Sequence, residues 1–207
     1  CMRIANMTEA DASRFLGTAL ENGINLFDHA DIYGRGKSEE VFAKAMRNSH
    51  VPRESIYLQS KCSIRKGYYD CSSEYILGAV DGILTRLDTD YLDLLLIHRP
   101  DTLMEPEDVA HAFDALASSG KVRQFGVSNM NASQIALLKK YVKQPIIANQ
   151  MQFSNMHTGL VDSGINVNMK NEGSLDRDGH ILEYCRLMDI TIQAWSPLQY
   201  GFFEGTF

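Results

Sequence analysis

Apolar positions along the chain follow two alternating patterns. From Thr8 to Gly23 they recur every three or four residues, which predicts a helix with one buried face. Residues 24–27 then form a short apolar run that ends at Asp28, as expected for a buried strand leading into a polar loop. The two patterns together predict a helix followed by a strand.

The same helix-then-strand pattern recurs along the rest of the chain. Further strands are predicted at residues 56–60, 91–97, 124–127, 146–148 and 191–194, each preceded by a segment of helical periodicity. A polar insertion at 155–178 comes before the last helix and strand. Because neighbouring parallel strands need a crossover between them, this alternation predicts a parallel sheet covered by helices on both faces.

Every predicted strand ends in a side chain capable of chemistry. In a doubly wound sheet such residues gather at one switch point, whereas in a barrel all strand ends converge on one rim. The distribution therefore predicts an α/β fold of the (β/α)8 TIM-barrel type, seen here in part, with residues 1–207 forming a single domain. The residues concerned are Asp28, Lys61, His98, Ser128, Asn129, Gln150, Trp195 and Ser196.

Composition excludes several classes of function. A formal charge of −6 argues against a nucleic-acid partner, which needs clustered Lys and Arg. No apolar run reaches the roughly 20 residues of a membrane span, and residues 1–4 do not show the pattern of a secretory signal, so we expect a cytoplasmic protein without a membrane partner. The four cysteines lack metal-ligand spacing, and no metal is expected. The oligomeric state stays open.

Three of the strand-end residues, together with a tyrosine in the loop after Asp28, form a candidate proton-transfer group. Tyr33 follows Asp28 by five residues and could act as a proton donor, although the ordinary pKa of tyrosine, about 10, makes it a weak acid. A nearby ammonium on Lys61 would lower that pKa, and Asp28 would keep the lysine protonated. A neutral His98 could orient a carbonyl oxygen toward Tyr33.

The successive strand ends resemble those of the aldo-keto reductase family, particularly its bacterial branch of predicted oxidoreductases with extended loops. The matching segments, in order, are FDHADIYG, SKC, DLLLIHRP, GKVRQFGVSN, NQMQFS and AWSPLQYG. The resemblance implies that Asp28, Tyr33, Lys61 and His98 are catalytic. It also implies cofactor contacts from a second set of residues, namely Ser128, Asn129, Gln150, Trp195, Ser196, Leu198, Gln199 and Gly201.

The activity implied by this resemblance is reduction of an aldehyde or ketone to an alcohol. The resemblance implies NADPH as the cofactor, because members of the family commonly use NADPH rather than NADH. The binding partner would be a small carbonyl substrate. A non-catalytic barrel that binds the cofactor as a regulatory subunit or sensor is the main alternative. A metal-dependent hydrolase built on His29, Asp31 and His98 is a weaker one. We also expect a longer natural chain, because the family's first and eighth strands have no clear counterpart here.

Overall fold

Within residues 1–198, six parallel strands form one sheet in which spatial order equals chain order. The computed structural model describes residues 1–198. The sequential order confirms the predicted incomplete α/β barrel, since a doubly wound sheet would reverse direction at a switch point. The strands are β1 (Leu26–Asp28), β2 (Tyr57–Cys62), β3 (Leu92–Ile97), β4 (Val122–Ser128), β5 (Ile146–Gln152) and β6 (Thr191–Trp195).

Helices occupy every connection between consecutive strands, and one precedes β1. The insertion predicted as polar contains a short helix, α6, whose Leu160 is buried. Within residues 1–198 no helix is long and apolar enough to cross a membrane. The helices are α1 (Glu9–Glu21), α2 (Lys37–Asn48), α3 (Ser73–Leu87), α4 (Pro106–Ser118), α5 (Ala132–Tyr141), α6 (Gly159–Ile165) and α7 (Ile181–Leu187).

Strands β4 and β5 depart most in length from the predictions. Strand β4 begins two residues earlier, at Val122, and β5 continues through Asn149 and Gln150 to Gln152. The prediction that the two amides follow β5 is therefore wrong. Backbone pairing with β6 continues to Gln152, and such pairing does not require apolar side chains.

A register shift separates the two halves of β5. Phe125 of β4 pairs with Ile146, but Val127 pairs with Asn149, so β5 has one extra residue in this interval. Ile147 and Ala148 both pack at the inner face of the sheet, in a small cluster with Leu94 and Leu96. Beyond this β-bulge, successive side chains again point alternately outward and inward.

The main core lies between the outer face of the sheet and the helices. The rings of Phe113 on α4 and Phe125 on β4 stack there with centroids 4.2 Å apart. Phe42 of α2 is fully buried and packs against Phe27 of β1 at 5.0 Å. These aromatic contacts pack α2 and α4 against β1 and β4.

His29 is a polar residue inside this core. It is fully buried, its ring packs edge-on against Phe42 at 4.7 Å, and neither ring nitrogen has a hydrogen-bond partner within residues 1–198. Burial lowers the pKa of His29 to about 3, because the charged imidazolium would lose its hydration. The side chain is therefore a neutral core residue at physiological pH.

We expect Gly126→Ala to destabilise the protein by about 1–3 kcal/mol. A Cβ at this position in β4 would lie 2.7 Å from the carbonyl oxygen of Ala148 and 2.6 Å from Leu96 Cδ2, and backbone cannot easily give way. The matched control is Gly78→Ala in α3, where a Cβ meets nothing within 4 Å and helix propensity favours alanine. Urea denaturation of both variants would test this, and equal stability changes would contradict it.

We expect the protein to lose stability on acidification between about pH 6.5 and pH 3, and His29→Phe to reduce that loss. The pKa of His29 is lower in the folded state than in the unfolded chain, so the unfolded chain takes up a proton first as the pH falls. One such group changes the free energy of unfolding by up to about 1.4 kcal/mol per pH unit.

Urea denaturation at several pH values measures this slope. The control is His111→Gln, which removes an exposed histidine instead of a buried one. An unchanged slope in His29→Phe would refute the assignment of acid sensitivity to this residue.

Candidate active site

An open cleft of about 640 Å³ lies at the carboxyl ends of the strands. The predicted site residues from five strand ends and from the loop after β1 come together here. Lys61 lies beneath the cleft, with no exposed surface. The predicted residues that line the cleft are Asp28, Tyr33, His98, Ser128, Asn129, Gln150, Trp195 and Ser196.

Three predicted cofactor contacts are not placed in the cleft. Leu198 is 65% exposed and is not part of the cleft wall. Gln199 and Gly201 lie outside the described residues. The cofactor role of all three stays a prediction.

The buried ammonium of Lys61 connects β1, β2 and the loop after β1. Its Nζ lies 2.7 Å from both carboxylate oxygens of Asp28 and donates to the carbonyl oxygen of His29 at 2.7 Å. A fourth contact reaches the hydroxyl of Tyr33 at 3.2 Å. An ammonium without exposed surface is costly unless it is paired, and this set of oxygen atoms supplies the pairing.

Lys61 and Asp28 form an ion pair at neutral pH. Burial lowers the pKa of Lys61, and the charge of Asp28 opposes that effect. Burial alone would raise the pKa of Asp28, but the charge of Lys61 together with hydrogen bonds from Lys61 and Gln59 holds it below its ordinary value. The carboxylate therefore acts purely as a hydrogen-bond acceptor.

The predicted lowering of the pKa of Tyr33 is wrong. Burial raises that pKa well above the ordinary value, and the negative charge of Asp28 raises it further. The ammonium of Lys61 lies close by, but Asp28 already balances its charge. Tyr33 is therefore a neutral phenol near pH 7. Since Lys61 donates to the phenol oxygen, the phenol hydrogen is directed away from Lys61.

His98 completes the group of four. Its ring lies edge-on to Tyr33 with centroids 5.9 Å apart. Burial, followed by the positive charge of Lys61, lowers the pKa of His98 to about 3. The imidazole is therefore neutral, as the sequence predicted, and can donate or accept a hydrogen bond at the cleft.

The residues of the alternative metal site are not assembled into a ligand set. His29 is in the core, and Asp31 accepts a hydrogen bond from the hydroxyl of Tyr75 at 2.8 Å. Within residues 1–198 no group of three or more His, Cys, Asp or Glu side chains could hold a metal ion.

A hydrogen-bonded relay connects the ends of β4, β5 and β6. The indole Nε1 of Trp195 donates to Asn129 Oδ1 at 3.0 Å, Asn129 Nδ2 donates to Ser128 Oγ at 2.8 Å, and Ser128 Oγ donates to the backbone oxygen of Gln150 at 2.9 Å. Asn129 has a left-handed backbone with φ of 57°, a conformation that asparagine tolerates well. The relay fixes the position of the indole at the cleft wall.

Several cleft residues were not predicted from the sequence. Gln193 on β6 and Arg99 after β3 line the cleft, and Gln59 on β2 donates a hydrogen bond to Asp28. A signal existed for the two glutamines, because Gln59 is two residues from Lys61 and Gln193 two from Trp195. Positions two apart on a strand share a face.

Comparison with known proteins identifies the family of this chain. Residues 2–207 match the sequence profile described as the Aldo/keto reductase family. Oxidoreductase YcsN of Bacillus subtilis is 38% identical over 214 residues, covering 97% of this chain and 66% of that protein. Oxidoreductase YdhF of Escherichia coli is 39% identical over 167 residues, covering 77% of this chain and 56% of that protein.

Solved structures lead to the same family. A crystal structure of an aldo-keto reductase from Klebsiella pneumoniae in complex with NADPH is 25% identical, with a TM-score of 0.71, over 93% of this chain and 60% of that one. The chain thus spans between 56% and 66% of the length of these relatives. With its six parallel strands, its rim cleft and a profile match over nearly every residue, the chain belongs to the aldo/keto reductase family.

Proposed function

We propose that this chain carries the site of an NADPH-dependent reductase that converts a small aldehyde or ketone to an alcohol. The observation that carries the proposal is the neutral phenol of Tyr33, which accepts a hydrogen bond from Lys61 at 3.2 Å and lines the cleft. A phenol in this setting retains a proton that it can donate. A single domain over residues 1–207 and a cytoplasmic location stay predictions.

Features of the cleft fit a nicotinamide cofactor. The side-chain oxygen Oε1 of Gln150 accepts no hydrogen bond from residues 1–198, and Trp195 contributes a partly exposed aromatic ring to the same wall. A primary carboxamide next to a flat ring matches this combination. We assign Ser128, Asn129, Gln150 and Trp195 to the nicotinamide half, and Ser196, Leu198, Gln199 and Gly201 to the pyrophosphate. When bound, the reduced cofactor supplies the hydride.

The residues of this chain would supply the proton and the electrostatic stabilisation. Tyr33 donates its proton to the substrate oxygen, and neutral His98 positions that oxygen by a hydrogen bond. Proton loss leaves a negative charge on the phenol oxygen, 3.2 Å from the ammonium of Lys61. At an effective dielectric constant of about 20, that attraction is about 5 kcal/mol before the opposing charge of Asp28 is counted.

NADPH is proposed over NADH from one relative. The Klebsiella pneumoniae structure was solved in complex with NADPH. The substrate would enter between Ile32, Ile64 and Arg99, which line the part of the cleft that includes Tyr33 and His98. This mixture of apolar and basic side chains is compatible with a small carbonyl compound.

We expect Tyr33→Phe to lower aldehyde turnover by about 10²–10⁴-fold while NADPH affinity changes little, because the substitution removes the proton donor and leaves the assigned cofactor contacts in place. Turnover of a panel of small aldehydes is measured as the decrease in NADPH absorbance. NADPH binding is measured as quenching of the fluorescence of Trp195, the chain's single tryptophan.

The control is Tyr57→Phe, because Tyr57 is 55% exposed and lies at the opposite end of β2 from Lys61. Wild-type turnover in Tyr33→Phe would show that this residue is not the donor. NADPH binding without turnover by the unaltered protein would instead favour the regulatory subunit or sensor.

A further inference from the structure

We propose that Gln59 and Gln193 are positioning residues that fix the side-chain orientation of Gln150 and so present its carbonyl oxygen to the carboxamide of the cofactor. This inference rests on the proposed function, since it assumes that Gln150 contacts the nicotinamide. Neither residue belongs to the catalytic group of four, and neither touches the reacting atoms in this proposal.

The two glutamines complete a closed ring of side chains beneath the cleft. Gln59 Nε2 donates to Asp28 Oδ1. Gln193 Nε2 donates to Gln59 Oε1 at 2.9 Å. Gln150 Nε2 donates both to Gln193 Oε1 at 3.2 Å and to Asp28 Oδ1 at 3.3 Å. The ring thus connects β1, β2, β6 and β5, across as many as 134 positions of sequence.

The charge on Asp28 determines the direction of every hydrogen bond in the ring. An ionised carboxylate can only accept, so Gln59 must turn its NH₂ group toward Asp28 and its oxygen toward Gln193. Gln193 must then donate its NH₂ group to Gln59, and this orientation turns the side-chain oxygen of Gln193 toward Gln150. Gln150 donates in turn, and its oxygen is left on the side away from the ring.

Reversing any one amide would place oxygen against oxygen. If Gln150 alone were flipped, its oxygen would face both Asp28 Oδ1 and Gln193 Oε1, which are acceptors. This flip would break two hydrogen bonds and place like partial charges together. Little water could compensate, because Gln59 is 1% exposed and Gln150 is 8% exposed. The observed orientation of Gln150 is therefore strongly favoured.

The location of the ring argues against a purely space-filling role. Gln193 lines both the active-site cleft and a second cleft of about 370 Å³ on the inner face of the sheet, where Leu58, Leu94 and Ile147 are neighbours. Apolar side chains would suit the second cleft without the desolvation cost of amides. The polar ring is instead placed directly under the predicted nicotinamide contact.

The orientation of Gln150 has a specific consequence for recognition. A free carbonyl oxygen can accept from the NH₂ of a carboxamide but gains nothing from a methyl ketone. NADPH should therefore bind more tightly than its 3-acetylpyridine analogue, in which a methyl group replaces that NH₂. One hydrogen bond of this kind corresponds to about a tenfold difference in affinity.

Isothermal titration calorimetry of the full chain with the two cofactors tests the ring. In Gln193→Met the side-chain length is kept but the amide is lost, and we expect the ratio of the two dissociation constants to fall from about tenfold to about twofold. Gln193→Glu loses the hydrogen bond to Gln59 Oε1 but can still accept from Gln150, so this variant should keep most of the ratio even if both affinities fall. The matched control is Gln124→Met, at an exposed position on β4 that lines the inner cleft.

The outcomes separate the two proposals. An unchanged ratio in Gln193→Met, with both cofactors still bound, would overturn the positioning role and leave the proposed function standing. A loss of the ratio in both Gln193→Met and Gln193→Glu would also overturn it, because Gln193→Glu keeps the side-chain length and the acceptor for Gln150, so acceptance from Gln150 would not be what maintains the ratio. Absence of NADPH binding by the unaltered protein would overturn the proposed function together with this inference.

Discussion

The ion pair between Lys61 and Asp28 is the interaction on which the rest of the site depends. An ammonium with no exposed surface is tolerated only because a carboxylate and a backbone carbonyl surround it. The same carboxylate orients the amide ring, and the same ammonium holds the oxygen of Tyr33. A single charge pair with a fully buried ammonium therefore links the proposed proton donor, Tyr33, to the predicted cofactor contact, Gln150.

Much of the fold could be predicted because helical periodicity and apolar runs are local properties of the chain. The run at residues 91–97 is continuous, and β3 forms there as Leu92–Ile97. Asp28, Tyr33, Lys61 and His98 could be proposed together because the strands of a barrel end at one rim. Those residues do meet, with Tyr33 in contact with both Lys61 and His98.

Other features depend on distances that the sequence does not contain. The pKa of Tyr33 was predicted to fall because Lys61 is near, but its direction depends on how much of that charge Asp28 balances and on burial. Gln59 and Gln193 were missed because they are separated by 134 positions and become neighbours only when the sheet curls. The extra residue in β5 was equally hidden, since no turn or glycine within that strand marks it.

The bulge around that extra residue keeps Asn149 and Gln150 on opposite faces of β5. Because Ile147 and Ala148 both pack at the inner face, Asn149 points outward, where its Nδ2 donates to the carbonyl oxygen of Met130, and Gln150 points inward to Asp28. A strand with strict alternation from Ile146 would have exchanged the two. Deletion of either Ile147 or Ala148 would remove the bulge and leave one inward residue before Asn149, so Asn149 would still point outward and Gln150 inward. The bulge thus lets β5 carry one residue more than β4 in this interval while the polar side chains at the rim keep their faces.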